Sequence, residues 1–286
     1  MKKSGKSKRK QNEVWRRLKK NKVAIVSLFV IAIVFLVAVF APLLAPYPYE
    51  ETHKRNSLEG SSAEFLLGTD RLGRDVLSRL IYGARPSLQM GIFAVTGATI
   101  IGVFIGAIAG YYGGFTDNLL MRLLDVFQGI PMFLLTITIA AVLGPSLRNG
   151  IIAIGVSIAP GFARLMRASM LTVREMEYVE AAKSINASNP RIIYRHIIPN
   201  AIAPIIVSYT MNMGLAVLSG SMLSFVGLGV QAPTPEWGAM IYDARSFMRA
   251  QPQLALYPGI CVVITVLAFN MLGDGLRDAL DPRLKN

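Results

Sequence analysis

The chain has 286 residues, of which 53% are hydrophobic and only 16% are charged, and its mean hydropathy is +0.46. This composition excludes an ordinary soluble domain, in which about a quarter of the residues are charged, and favours a membrane protein. The net charge of +13 is compatible with nucleic-acid binding, but the distribution of the basic residues argues against that class of protein.

The first 22 residues are strongly basic, since eleven of the 30 Lys and Arg residues precede residue 23. Basic residues that flank a first span stay in the cytoplasm, so we expect residues 1–22 to form a cytoplasmic tail with Trp15 at the membrane interface. Residues 23–45 carry no charged side chain and predict the first transmembrane helix. This run is longer than that of a secretory signal peptide and has no obvious A-x-A site, so we expect it to be retained.

Five further apolar runs predict an all-α, polytopic protein with six transmembrane helices and both termini in the cytoplasm. The runs cover residues 88–111, 119–143, 146–163, 201–226 and 254–273. The run at 146–163 has only about 18 residues and barely crosses a bilayer core of about 30 Å. The boundaries predict an extracytoplasmic loop at 46–87, a core of five helices at 88–276 and a cytoplasmic C-terminal tail at 277–286.

The motifs of the chain also restrict how transport could be powered. The sequence lacks the pattern G-x-x-x-x-G-K-[ST], so any ATP and magnesium would be bound by another chain. Asp125 is the one acidic residue inside a predicted span, and its position three residues after Arg122 favours a local ion pair over a proton relay. The alternative is an ion-coupled secondary transporter that works without an ATPase and in which Asp125 is essential.

Catalytic and metal-binding patterns are not evident in the sequence. His53 and His196 lie on opposite predicted sides of the membrane, and Cys261 lies inside the sixth apolar run. No nucleophile, base or ligand set converges, so we expect neither a catalytic site nor a metal site in this chain.

Residues 173–205 combine helical periodicity with charges that prevent membrane insertion. An apolar residue at every third position predicts a short amphipathic helix with one apolar stripe. The stripe consists of Met176, Val179, Ala182 and Ile185. Asn186 is suited to end this helix in a left-handed conformation. We expect Asn189 to cap a second helix, Pro190 to occupy its first turn and Pro199 to end it.

The same segment resembles the EAA loop of ABC-importer permeases, written E-A-A-x-x-x-G and followed downstream by a hydrophobic residue and proline. Here the match reads Glu180-Ala181-Ala182, then Asn186 at the glycine position, then Ile198-Pro199. The resemblance implies that residues 178–188 form the coupling helix that docks on a cytoplasmic ATPase, and an ordinary surface helix is the alternative. The expected coupling residues are Glu180, Ala181, Ala182, Lys183 and Asn186.

Four other stretches resemble the C-type permease subunit of dipeptide, oligopeptide and nickel importers, at residues 66–85, 106–131, 223–241 and 267–283. The resemblance implies the type I ABC importer permease fold in the cell membrane. It also implies a heterodimer with a second permease subunit, two ATPase subunits that bind ATP and magnesium, and an extracytoplasmic solute-binding protein. Peptides are the substrate class that the resemblance favours.

Small residues and prolines mark particular positions within the predicted spans. Gly102, Gly106 and Gly110 recur at every fourth position of the second span and predict close packing against another helix. Pro131 and Pro160 interrupt the third and fourth spans, where they either kink the helix or free carbonyl groups for a polar solute.

The predicted extracytoplasmic loops contain charged and aromatic residues among glycines and prolines. A solute-binding protein could dock on this surface, and its candidate contacts are Arg71, Arg74, Glu236 and Trp237. The alternative, which the sequence leaves equally open, is that Asp70, Arg74 and Asp75 pair with one another and hold an interfacial helix.

Overall fold

The computed structural model describes residues 15–280, and every named element within that range is helical. The helices of eight or more residues are α1 (Lys22–Val39), α2 (Val76–Tyr112), α3 (Gly114–Gln128), α4 (Met132–Leu143), α5 (Leu147–Arg174), α6 (Glu177–Ser184), α7 (Ala203–Phe225), α8 (Trp237–Ala244) and α9 (Gln253–Leu280). Most of the predicted N-terminal tail, at residues 1–14, lies outside the described residues, as do residues 281–286 of the predicted C-terminal tail. Residues 277–280 belong to α9 rather than to a tail.

Among residues 15–280, five helices are long and apolar enough to cross a membrane, namely α1, α2, α5, α7 and α9. Helices α3 and α4 are each too short to cross, but their combined length and hydropathy meet the same criterion. The two helices meet at an angle of 85° at the break between them. The predicted all-α, multi-span fold is confirmed. The described residues form five candidate spans, or six if the bent pair counts as one, so the third predicted span is not a continuous helix.

Helix α2 begins well before residue 88, where the second span was predicted to start. The carboxylate of Asp75 caps it by accepting hydrogen bonds from the Ser78 backbone N–H at 2.8 Å and from the Ser78 hydroxyl at 2.6 Å. With 37 residues, α2 is about 55 Å long and exceeds the hydrocarbon core of a bilayer. The loop predicted at 46–87 therefore ends at Asp75. The first turns of α2 were not predicted as part of the span because polar residues such as Arg79 lower their hydropathy.

Helix α5 also extends beyond the predicted run at 146–163, and its 28 residues end at Arg174. The prediction stopped at Arg164 because a charged residue ended the apolar run. The helix continues because Arg164 and Arg167 both form ion pairs with carboxylates of α3. Since α5 is about 42 Å long, the fourth span is not short.

Helices α2 and α5 pack with very little space between their backbones. A Cβ atom at Gly102 would lie 2.5 Å from the Cβ of Phe162, and one at Gly106 would lie 2.2 Å from the carbonyl oxygen of Ala163. A Cβ atom at Gly110 would lie 2.6 Å from the Cβ of Met170. Any larger side chain at these three positions would force the two helices apart.

The two ends of the helix bundle carry different structures. At one end, residues 175–202 connect α5 to α7, and we call this segment the elbow. At the other end, residues 46–75 and 226–252 contact each other, for example through the hydrogen bond from Gln251 Nε2 to the Leu58 carbonyl oxygen at 3.3 Å, and we call them the distal cap. Helix α2 spans the distance between the two, since Asp75 precedes it in the cap and Tyr111 reaches the elbow.

Candidate functional site

The first helix of the elbow, α6, follows α5 after only two residues, Glu175 and Met176. The Met176 N–H donates to the Val173 carbonyl oxygen at 3.2 Å, which ties the turn to the end of α5. Glu177 and Glu180 lie in the first turn of α6, where carboxylates interact favourably with the helix dipole. The short connection means that α6 cannot move far without displacing the end of α5.

The far end of α6 has the hydrogen-bond pattern of a Schellman motif. Asn186 has a φ angle of 55°, the left-handed conformation expected from its place in the sequence. Its N–H donates to the Lys183 carbonyl oxygen at 2.8 Å, and the Ala187 N–H donates to the Ala182 carbonyl oxygen at 3.1 Å. Asparagine therefore forms the turn for which the EAA pattern has glycine.

The two faces of α6 are in different environments. Val179 and Ala182 are buried against the core of this chain, whereas Glu180, Ala181 and Lys183 are exposed. The predicted four-residue stripe is only half right, because Met176 and Ile185 are exposed as well, Ile185 to 80%. A helix of eight residues makes about two turns, so only the two central stripe positions reach the core. The expected contribution of Ala182 to a partner interface is therefore corrected, since Ala182 packs inside the elbow.

The second arm of the elbow differs from its prediction. Ser188, not Asn189, precedes the helical turn at Asn189–Ile192, and the Asn189 side chain instead accepts a hydrogen bond from the Tyr111 hydroxyl at 2.7 Å. A π-helical turn follows at Ile193–Ile197, and a further helical turn at Ile198–Ala201 contains Pro199. Pro199 does not end the arm. In the wider π turn the Ile198 N–H donates to the Ile193 carbonyl oxygen. Pro199 follows in the first turn of the next helical segment, where its missing N–H breaks no hydrogen bond.

The elbow is also attached to the turn between α2 and α3. The Arg174 guanidinium at the end of α5 donates through Nη1 to the carbonyl oxygens of Gly110 at 3.2 Å and Tyr111 at 3.1 Å. Together with the hydrogen bond from Tyr111 to Asn189, these contacts join α5, the elbow and the α2–α3 turn at one end of the bundle.

The phenol of Tyr178 on α6 stays neutral at physiological pH, because desolvation raises its pKa further above that range.

Two residues predicted to dock a binding protein are buried inside the distal cap. Glu236 is fully buried, and it caps α8 by accepting a hydrogen bond from the Ala239 N–H at 2.9 Å. It also accepts hydrogen bonds from the hydroxyls of Ser87 at 3.0 Å and Ser221 at 3.1 Å, so it joins α2, α7 and α8. Trp237 is buried too, and its indole N–H donates to the Leu80 carbonyl oxygen at 3.1 Å. The docking assignment of both residues is corrected, because neither presents a surface.

Arg74 is likewise buried, and it forms ion pairs with Asp70 at 2.6 Å and with Asp243 of α8 at 3.5 Å. Its docking assignment is corrected in favour of the alternative in which Asp70 and Arg74 pair. Asp75 does not join that pair, since it caps α2. Arg71 alone of the four candidates is exposed, with 52% of its side chain accessible and an ion pair to Asp243 at 3.6 Å.

Acidic residues of α3 pair with α5 rather than with α3 itself. Asp125 bonds to Arg164, which corrects the predicted pairing with Arg122. Asp117 accepts two hydrogen bonds from Arg167, through Nε and Nη2, both at 2.5 Å. Sequence reasoning missed the second pair because its members are 50 positions apart. The available signal was the presence of two acidic residues on α3 and of two arginines near the predicted end of the fourth span.

The part of the chain that the structure describes contains no candidate metal site. Between residues 15 and 280, no group of three or more His, Cys, Asp or Glu side chains could hold a metal ion.

Comparison with known proteins places this architecture in a family. The family described as "Binding-protein-dependent transport system inner membrane component" matches residues 102–286, and the "N-terminal TM domain of oligopeptide transport permease C" matches residues 12–60. The chain is 51% identical over 274 residues to the dipeptide transport system permease protein DppC of Alkalihalophilus pseudofirmus, with 96% of this chain and 90% of that protein covered. It is 42% identical over 275 residues to the glutathione transport system permease protein GsiD of Pectobacterium atrosepticum, with coverages of 96% and 91%.

Solved structures share the fold at low sequence identity. The inward-facing MetNI methionine ABC transporter matches with a TM-score of 0.59 and 19% identity over 72% of this chain and 98% of the matched chain. An amino acid ABC transporter crystallised with histidines matches with a TM-score of 0.54 and 17% identity over 69% of this chain and 92% of the matched chain. The family matches cover more than half of the sequence, and this chain belongs to the family of multi-pass inner-membrane components of binding-protein-dependent transport systems.

Proposed function

We propose that this permease forms one half of a heterodimeric pore that imports dipeptides or short oligopeptides. Two ATPase subunits hold ATP and magnesium, one of them docked on the elbow of this chain, and a solute-binding protein delivers the peptide at the distal cap. The observation that carries the proposal is the outer face of α6, where Glu180, Ala181 and Lys183 are exposed at the positions of the EAA pattern.

The exposed residues of α6 suit a helix that fits into a groove of a partner. Ala181 leaves only a methyl group beyond the backbone, so another protein surface can approach closely. Glu180 and Lys183, on either side of it, provide charges of opposite sign that fix the register of a partner. Asn186 contributes by ending the helix sharply, and Ala182 contributes from inside by holding α6 against the rest of the elbow.

The cytoplasmic orientation of the elbow and of both termini rests on charge. The eleven basic residues before residue 23 favour a cytoplasmic N-terminus. With six crossings, the C-terminus and the connection between the fourth and fifth spans lie on the same side. Arg174, Lys183, Arg191 and Arg195 add positive charge to that connection.

Peptides are supported as substrates by the named relatives. The relative with 51% identity is a dipeptide permease, and the relative with 42% identity transports glutathione, itself a tripeptide. Both alignments cover at least 90% of the relative, so the helices that line a pathway in those proteins have counterparts here.

The test is uptake of radiolabelled dipeptides by proteoliposomes that contain this chain, its partner permease, both ATPases and the binding protein. We expect ATP-dependent uptake that Glu180→Lys abolishes, because the reversed charge repels the groove that receives α6. Lys54→Glu, which reverses a charge at the opposite end of the bundle, is the matched control for contact with the ATPases and should leave their co-purification unchanged, whereas Glu180→Lys should reduce it. Uptake by this chain alone under a proton or sodium gradient would contradict the proposal and support the ion-coupled carrier.

A further inference from the structure

Helix α3 has an inverted distribution of side chains. Its carboxylates Asp117 and Asp125 point toward α5, whereas Phe115, Leu119 and Val126 are exposed, Phe115 to 81%. A helix in water would present its charges outward and bury its apolar residues. The exposed apolar face therefore requires lipid or another apolar protein surface. The largely buried Asp117 and the exposed Asp125 both hold α3 to α5 through their ion pairs.

The stronger of these attachments is the pair of Asp117 and Arg167. The planar guanidinium contacts both carboxylate oxygens, at 2.5 Å each, and the Asp117 side chain is only 12% exposed. Such a two-point contact fixes distance and angle together. The Asp125–Arg164 pair adds a second point about two turns further along α3, so that α3 cannot pivot about a single contact.

Both ends of α3 are suited to bending. Gly113 precedes it and Gly114 is its first residue, and their φ angles of 66° and 55° are conformations that glycine adopts without strain. At its other end, Pro131 follows the break at which α3 and α4 meet at 85°. Because neither end fixes its direction, the orientation of α3 depends on the ion pairs along its length.

The arginines of these pairs lie on the helix that leads into the elbow. Helix α5 continues without interruption from Arg164 and Arg167 to Arg174, and α6 begins three residues later. A displacement of α6 therefore shifts the end of α5 and both guanidinium groups with it. The α2–α3 turn moves with α5 and the elbow because Arg174 and Asn189 are bonded to it, and the two ion pairs carry the movement along the length of α3.

We propose that Arg164 and Arg167 are positioning residues that transmit movements of the elbow to α3 and α4 through their ion pairs with Asp125 and Asp117. The inference rests on the proposed function, since it takes the partner ATPases as the source of the movement. It assigns to the α3–α5 contact a role in coupling ATP hydrolysis to transport, in addition to its role in packing.

The first experiment is a charge swap in the complete reconstituted transporter. Asp117→Arg and Arg167→Asp, each alone, should reduce peptide uptake per ATP hydrolysed about tenfold, and the two together should recover most of it. Arg122→Gln is the control, because Arg122 lies exposed on the same helix and no ion pair to it occurs among residues 15–280. Unchanged coupling in both single variants, or no recovery in the double variant, would overturn the proposal.

A second measurement keeps the proposal testable if the charge-swap variants fail to assemble. Spin labels at Val126→Cys and Gly60→Cys, in a Cys261→Ala background, report the distance from α3 to the distal cap. We expect this distance to change when ATP is trapped, and to stop changing in the Asp117→Asn, Asp125→Asn variant. In that variant, the distance from Ser184→Cys on α6 to Gly60→Cys should still change.

The two proposals fail in different ways. A complex of unchanged sequence that shows no ATP-dependent uptake overturns the proposed function and the transmission role with it. ATP-coupled uptake together with an α3 label that still moves in the Asp117→Asn, Asp125→Asn variant overturns the transmission role alone.

Discussion

Adjacent residues on α6 have opposite environments although both are alanine. Ala182 is 5% exposed and packs in the elbow, while Ala181 lies on the outer surface. The two alanines of the E-A-A triplet are therefore small for different physical reasons. Ala182 lets α6 lie close to its own chain, and we propose that Ala181 leaves room for the ATPase.

We predict that Ala182→Leu and Ala181→Leu affect different properties. Leucine at Ala182 overpacks the elbow, at a cost of about 1–3 kcal/mol, and should lower the thermal stability of the purified chain in detergent. Leucine at Ala181 should leave that stability unchanged and reduce co-purification of the ATPase subunits. Equal losses of stability in the two variants would contradict the assignment of the two faces.

At the scale of elements, the contact between α2 and α5 explains the spacing of glycines along α2. We predict that Gly106→Ala destabilises the chain by about 1–3 kcal/mol, because the new methyl group would meet the backbone of Ala163. Gly97→Ala in the same helix is the control, since a Cβ atom there has nothing within 4 Å. That change should be neutral or stabilise the helix by up to about 1 kcal/mol. Detergent-unfolding titrations of both variants measure the difference, and a loss of stability in Gly97→Ala equal to that in Gly106→Ala would contradict the argument.

The distal cap depends on a buried carboxylate. We predict that Glu236→Ala lowers the stability of the cap, because the Ser87 and Ser221 hydroxyls and the Ala239 N–H lose their shared acceptor. Arg71→Ala should leave stability nearly unchanged, since an exposed ion pair contributes little, while weakening the affinity for the binding protein. Limited proteolysis of the cap and binding-protein titrations distinguish the two effects. A weakened affinity in Glu236→Ala with an intact cap would restore Glu236 as a docking residue.

The sequence predicted those features that depend on neighbouring residues. The apolar runs of the spans and the left-handed turn at Asn186 are local, and the structure has them. The extended ends of α2 and α5 were missed because Arg79 and Arg167 pair with carboxylates outside their own helices, which makes their charges compatible with a packed helix. Asp70 precedes α2, and Asp117 lies 50 positions before Arg167. Local periodicity contains no information about such pairs.

At the scale of the whole molecule, local sequence patterns predicted the elbow but not the interior of the distal cap. The position of the elbow between two spans followed from charge and hydropathy, but the burial of Glu236 and Trp237 did not. A charged residue such as Glu236 is rarely fully buried unless it has partners, and those partners lie on α2, α7 and α8, which meet in the distal cap. Trp237 is buried at the same place against α2. The bend between α3 and α4 lies at Pro131, where the sequence allowed a kink, but nothing in the local pattern predicts its angle of 85°.

The placement of the elbow and the distal cap at opposite ends of the bundle makes the topology measurable. We predict that, in a Cys261→Ala background, Gly60→Cys in the distal cap reacts with a membrane-impermeant maleimide added to intact cells. Ser184→Cys on α6 should react only after the membrane is opened, because positive charge keeps the elbow in the cytoplasm. Both positions are exposed in this chain, and expression without the ATPase subunits leaves α6 uncovered, so access through the membrane decides the result. Labelling of Ser184→Cys from outside would invert the topology, and the ATPases would then have no access to α6.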